Sequence, residues 1–335
     1  MSTDPARRVR TAPLSRTERG HLWWAAPPLA VFVLANVVFD LIGGGYTAVG
    51  GELIAAAAGD GDAHRAAVAV AAALGWAALA LVFVVVGVGV AVASWRMIGA
   101  RVRGRARAPF LVFIAAVAAG NLGHLFVVDR AETALRGIFS VTLDAVEAEP
   151  LVGAGAATAA GVVVTAINVM SGIVPALFLA AAVATTLPPL AGWNAVTLAR
   201  RARQIRQVVA LAAAFMVAGV LHMGAWTQLA GATLTTEADH AFDLVAVAVT
   251  LFWGAVFTTM IASFYLPMGM RLAELAEHVM DELGVDVAER RQWLAARGLS
   301  FEASQQLPQI AAVAARLVAG PVSGVLSAAA ERFAA

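Results

Sequence analysis

No cysteine and no lysine occurs among the 335 residues of this chain. The first absence excludes disulfides, thiolate metal sites, iron–sulfur clusters and thioether-linked haem. The second excludes a Schiff base to retinal or pyridoxal phosphate and the lysine of a phosphate-binding loop. Charge as a whole is scarce, at 13% against 61% hydrophobic residues with a mean hydropathy of +0.80. A water-soluble core cannot absorb that much apolar surface, so the composition indicates a polytopic membrane protein. Recognisable catalytic motifs are missing as well: there is no H-E-x-x-H, no G-x-S-x-G and no N-x-S/T sequon. GAGAATAAG (Gly153–Gly161) has glycines spaced loosely like a phosphate loop, but it lacks the lysine and precedes an apolar run, so close helix packing explains it better. Nothing in the sequence points to catalysis, and no catalytic residue is expected.

What is present is a set of long uncharged windows. About 20 residues cross the hydrocarbon, and a charge at a helix centre costs about 2.5–3.5 kcal/mol. Ala66–Trp95, Ala108–Val128, Pro150–Ala199, Gln207–Thr236 and Leu244–Met270 carry no charge, and Leu22–Gly43 carries only Asp40. The Pro150–Ala199 window is long enough for two spans, but its opening is weakly hydrophobic, so one helix near Val162–Leu190 with a kink at Pro175 is expected. The expected fold is therefore all-α, with six transmembrane helices near residues 22–43, 66–95, 108–128, 162–190, 208–230 and 244–266. A basic cytosolic tail (residues 1–20) precedes this domain (21–270), and a small cytosolic helical C-terminal region (271–335) follows it. No cleavable signal peptide is evident, so the first helix is expected to stay as an anchor.

Arginine placement sets the expected topology. With both termini inside, 20 arginines fall on the cytosolic side and 3 outside, while the outer connections hold eleven acidic residues. This is the positive-inside pattern, and it points to the cytoplasmic (inner) membrane. The basic stretches Arg96–Arg107 and Arg200–Arg206 read as inner loops facing anionic lipid headgroups rather than nucleic acid. An offset of 98 residues lays Ser94–His124 over Gly192–His222 and matches Trp95 with Trp193 and His124 with His222. A parallel repeat about an axis along the membrane normal would account for it, and so would the shared composition of basic inner loops flanked by apolar helices.

After Tyr265, Leu272, Leu275, Val279 and Leu283 recur at helical spacing with acids around them, which predicts an amphipathic helix stopped by Gly284. Asp286 and Glu289 have the spacing of a capping box opening a short helix that ends near Gly298. Leu307–Ala330 is apolar but interrupted, and reads either as part of a helical subdomain or as an interfacial segment through which the chain forms a homo-oligomer.

Polar groups inside spans are costly, which makes them the candidate functional residues. They are Asn36 and Asp40 in the first span, Asn121 and His124 in the third, Asn168 in the fourth and His222 with Gln228 in the fifth. Asp40 lies 17 residues past Trp23, His124 16 past Ala108 and His222 14 past Val208. At about 1.5 Å per residue all three stand roughly 21–26 Å from the cytosolic side, in one layer. Four readings compete. The groups line the path of a small ion or solute, with Asp and His coupling protons; or His124 and His222 hold a b-type haem; or the two histidines and Asp40 bind a divalent metal; or they only bridge helices. Solute movement through a path lined by Asp40, His124, His222, Asn36, Asn121 and Asn168 is the leading expectation. A membrane sensor or scaffold acting through the cytosolic helices is the alternative, and a haem electron-transfer protein the second alternative.

Overall fold

The computed structural model describes residues 23–43, 63–102, 107–128, 134–148, 153–189, 192–233, 236–297 and 299, and the structural statements below concern these. They fold into eight α-helices with no strand among them: α1 (Ala26–Gly43), α2 (Ala63–Arg101), α3 (Arg107–Val128), α4 (Ala134–Ala148), α5 (Gly153–Thr185), α6 (Ala195–Ala232), α7 (Thr236–Leu283) and α8 (Arg290–Ala296).

The helix ends have local causes. α1 opens on Ala26-Pro27-Pro28, where the missing proline N–H groups are those a first turn leaves unpaired anyway. α5 stops at Thr185 because Pro188 and Pro189 follow, and a proline both lacks the N–H and disfavours helix in the residue before it. Asn194 starts α6, its side chain accepting the Thr197 N–H at 2.9 Å. Gly284, at φ +67°, ends α7 with Val285 donating to the Met280 carbonyl at 3.0 Å, the left-handed stop that favours glycine.

α6 and α5 form the centre. α6 packs on α2, α4, α5 and α7, most extensively on α7; α5 also receives α2 and α3, and α1 lies along α7. The stretch Ala176, Phe178, Ala180, Ala181, Ala182, Val183 of α5 is fully buried, since its alanines let neighbouring helices approach closely. Gly87 of α2 does the same at one point, facing Met170 of α5 and Phe215 of α6. Large apolar side chains also cover the outside: Leu74, Leu81, Val85 and Val88 on α2, Val33 and Leu34 on α1, Val112 on α3 and Val162 on α5 are exposed. Such a surface fits lipid rather than water.

Four helices are long and apolar enough to cross a membrane: Ala67–Arg101, Ala157–Thr185, Ala195–Ala232 and Phe242–Leu283. The other two expected spans are less clear-cut. The apolar stretch of the first is the shorter Trp23–Val38, and α3 dilutes its 22 residues with Arg107, Pro109, Asn121 and His124.

Three expectations are corrected. Arg200–Arg206 is no loop: it lies within α6, which starts at Ala195, well before the uncharged window. Charge marks the end of apolar contact with lipid, not the end of a helix, and nothing between Asn194 and Ala232 breaks the backbone pattern. The fourth helix begins at Gly153 rather than near Val162 and ends at Thr185 rather than Leu190. Its small residues are weakly hydrophobic but good helix formers, and the proline pair cuts the far end. The 98-residue offset, finally, does not pair equivalent structures. Its first copy leaves the helix at Val102, whereas the matching position of the second, Arg200, sits inside α6. In addition α5 packs on α6, while α2 and α3 each pack on α5 and meet each other marginally at most.

The amphipathic continuation of the last span is present, as α7 runs on to Leu283 with Leu272, Leu275, Ala276 and Val279 buried. Asp286 accepts the Ala288 N–H at 2.9 Å and opens a 3-10 turn, Val287–Glu289, before the short α8. The N-terminal tail and Leu307–Ala330 lie outside the described residues.

Candidate functional site

Seven helices, α1 to α7, line a half-open cavity of about 160 Å³. Five of the six polar residues proposed for the path line it: Asn36, Asn121, His124, Asn168 and His222. They come from α1, α3, α5 and α6, and of the three residues that the sequence puts at one depth, His124 and His222 share this space. The sixth, Asp40, lies on α1 one turn beyond Asn36, and its side chain is outside the described residues. Ser171, Gly172 and Pro175 add a polar and irregular section of α5 to the wall.

Each polar group is held differently. Asn36 donates its Nδ2–H to the Phe32 carbonyl of its own helix at 2.9 Å. Asn121 donates to the Gly172 carbonyl of α5 at 2.9 Å, next to the turn that Pro175 weakens. Pro175 has no N–H for the Ser171 carbonyl, so α5 carries a local defect at the cavity wall. Gly172 allows the approach of α3, because a Cβ there would stand 3.2 Å from Asn121 Cβ. Both asparagines thus spend an N–H on backbone and keep Oδ1 as an acceptor.

His222 is the most confined of the group, with only 3% of its surface exposed. Its ring lies 5.9 Å from those of both Trp76 and Phe83, and neither ring nitrogen has a hydrogen-bond partner. Leaving a buried polar group unpaired costs about 1–3 kcal/mol, so this side chain is poorly explained by helix bridging. The Phe83 ring is in turn tilted against Phe215 at 4.7 Å, and Gly219 makes room for it, since a Cβ there would stand 3.3 Å from the Phe83 ring.

Two features were not anticipated. The first is aromatic: Phe32, Phe83, Phe139, Phe215, Trp253 and Phe257 all line the cavity. In a sequence where every span is apolar, nothing distinguishes an inward ring from a lipid-facing one. The second is α4, in what was expected to be an outer connection. Its buried side, Ile138, Val141, Thr142, Ala145 and Val146, has helical spacing that the sequence did offer. Trp226 of α6 donates its Nε1–H to the Ile138 carbonyl at 3.2 Å. The Thr142 hydroxyl answers toward the Trp226 carbonyl at 3.3 Å, and α4 places Phe139 on the cavity wall.

At the basic end of the bundle Arg201 is 2% exposed and points inward. Its guanidinium donates to the Ala184 and Leu187 carbonyls at 3.2 and 3.1 Å, closing the end of α5 whose carbonyls proline leaves without donors. Arg101 reaches from α2 to Gln204 Oε1 of α6 at 2.9 Å. Arg201 therefore has a structural task within the stretch expected to face lipid headgroups.

The chemistry of the site is narrow. No charged side chain lines the cavity among the described residues, and no three histidines, aspartates or glutamates gather there into a metal-binding group. The His222 ring packs against Trp76 and Phe83, and both of its nitrogens are buried. Compared with known families, curated proteins and solved structures, the chain finds no match.

Proposed function

We propose that this is an integral membrane protein of six transmembrane helices which carries a small solute across the cytoplasmic membrane through the cavity between its helices, with both termini in the cytosol. The observation that carries this reading is the convergence of five intramembrane polar residues from four helices on one half-open cavity. Scattered helix-bridging groups would have no reason to share a cavity, and polar side chains in lipid persist where they serve a pathway. Pro175 supports the same reading, because a helix with a weakened turn at the cavity wall can bend there as access changes sides. The arginines at Arg96–Arg107 and the exposed members of Arg200–Arg206 then meet anionic headgroups at the inner face.

The test is uptake into proteoliposomes, with small amines, alcohols, amino acids and carboxylates offered separately. At least one class enters faster than into protein-free vesicles, and Ser171→Phe, which fills the cavity, returns that uptake to background. Uptake equal in the wild type and Ser171→Phe, or uptake of no class, would contradict the proposal.

A further inference from the structure

We propose that the cavity takes a small organic ammonium ion, of the size and shape of choline or tetramethylammonium. The inference rests on the solute-carrying reading and names the class of solute.

Volume comes first. At about 160 Å³ the space is close to that of a cavity that holds one benzene molecule, about 150 Å³, so the ligand has few heavy atoms. The wall comes next. Six aromatic rings from five helices surround the space: Phe32 of α1, Phe83 of α2, Phe139 of α4, Phe215 of α6, and Trp253 and Phe257 of α7. Aromatic enclosures recognise quaternary ammonium groups through the negative faces of the rings, and the attraction grows when water is excluded.

The polar part of the wall is small. Asn36 and Asn121 each give one N–H to a backbone carbonyl, and each keeps an amide oxygen that can accept and a second N–H that can donate. His222, 3% exposed and with both ring nitrogens unpartnered, lines the same wall beside Phe83. No arginine lines the cavity among the described residues, so no positive side chain there opposes a cation and none welcomes an anion.

Other solutes fit less well. A bare metal cation asks for about six oxygen ligands, more than this largely apolar wall supplies. A sugar would bury several hydroxyls without partners. A neutral apolar molecule crosses the bilayer unaided and gives a carrier no task. A charged ammonium with an apolar shell cannot cross unaided, yet loses less hydration than a compact ion when it enters a ring-lined space. Along α1 the sequence places its one formal intramembrane charge, Asp40, a single turn beyond Asn36.

The test compares choline with 3,3-dimethylbutan-1-ol, which has the same shape without the charge, on the full-length protein in nanodiscs. Binding is read by calorimetry and choline uptake separately in proteoliposomes. Choline is expected to bind at least about tenfold more tightly than the alcohol, and Phe83→Leu and Trp253→Leu to remove that preference while leaving the alcohol's affinity nearly unchanged. Equal or tighter binding of the alcohol, binding of neither molecule, or a preference that survives both substitutions would overturn the proposal. Choline binding without choline uptake would leave the ligand class standing and remove the carrier reading. Uptake of another class without choline binding would do the reverse.

Discussion

His222 occupies a position that stability alone would give to an apolar ring. Its nitrogens have no partner, and Trp76 and Phe83 stand on either side. Replacing it by phenylalanine, which fills much the same shape, removes the cost of two unpaired nitrogens. His222→Phe is therefore expected to raise the unfolding temperature by a few degrees, reflecting about 1–3 kcal/mol, while solute uptake falls. Thermal unfolding in detergent followed by circular dichroism checks the first half; a lowered melting temperature would show that the imidazole has a structural partner. Arg201 behaves oppositely. Its two bonds to the end of α5 are charge-assisted and buried, so Arg201→Met is expected to cost about 2–3 kcal/mol. Arg200→Met, at an exposed position, should stay within about 0.5 kcal/mol. Loss of equal size in both would return Arg201 to a surface role.

Among the helices, α2 offers a paired test of close packing. Gly87 faces Met170 and Phe215, whereas a Cβ at Gly89 meets nothing within 4 Å. Gly89→Ala should gain about 0.5–1 kcal/mol from lower backbone freedom. Gly87→Ala should destabilise, because the Phe215 ring beside it is itself packed against Phe83. Equal effects in the two variants would place α2 elsewhere relative to α5 and α6. α4 makes a different kind of contact, held to α6 by Trp226 and Thr142. Trp226→Phe keeps most of the ring and removes the donor to Ile138, so faster hydrogen exchange is expected in Ala134–Ala148 with little change in α5.

These elements also show where the sequence was legible. Asn36, Asn121, His124, Asn168 and His222 stood out because an amide or imidazole among apolar residues is expensive, while similar distances from the helix ends put Asp40, His124 and His222 in one layer. The amphipathic run to Gly284 was legible because both its period and its stop are local. Arg200–Arg206 was misread since hydropathy reports what lipid tolerates and says nothing of where the backbone keeps helical hydrogen bonds. The aromatic wall could not be read at all: Phe83 and an outward-facing Val85 are equally apolar, and only packing separates them.

At the scale of the whole molecule, an arginine-rich end, an apolar exterior and a cavity between the helices are the parts of the proposed carrier. The natural absence of cysteine makes each engineered thiol unique. Gly104→Cys, between α2 and α3, should be labelled by an impermeant maleimide only from the cytosolic side, and Gly61→Cys only from outside. Labelling of both from one face would invert or break the six-span topology.

The most direct measurement places the thiol in the cavity wall. Ser171→Cys would be exposed to methanethiosulfonate ethyltrimethylammonium, a quaternary ammonium reagent that does not cross lipid, in right-side-out and inside-out vesicles. A carrier whose cavity opens to each face in turn and accepts an ammonium ion predicts modification from both sides, slowed by excess choline. Modification from one side only, or from neither, while Gly104→Cys reacts normally, would contradict it.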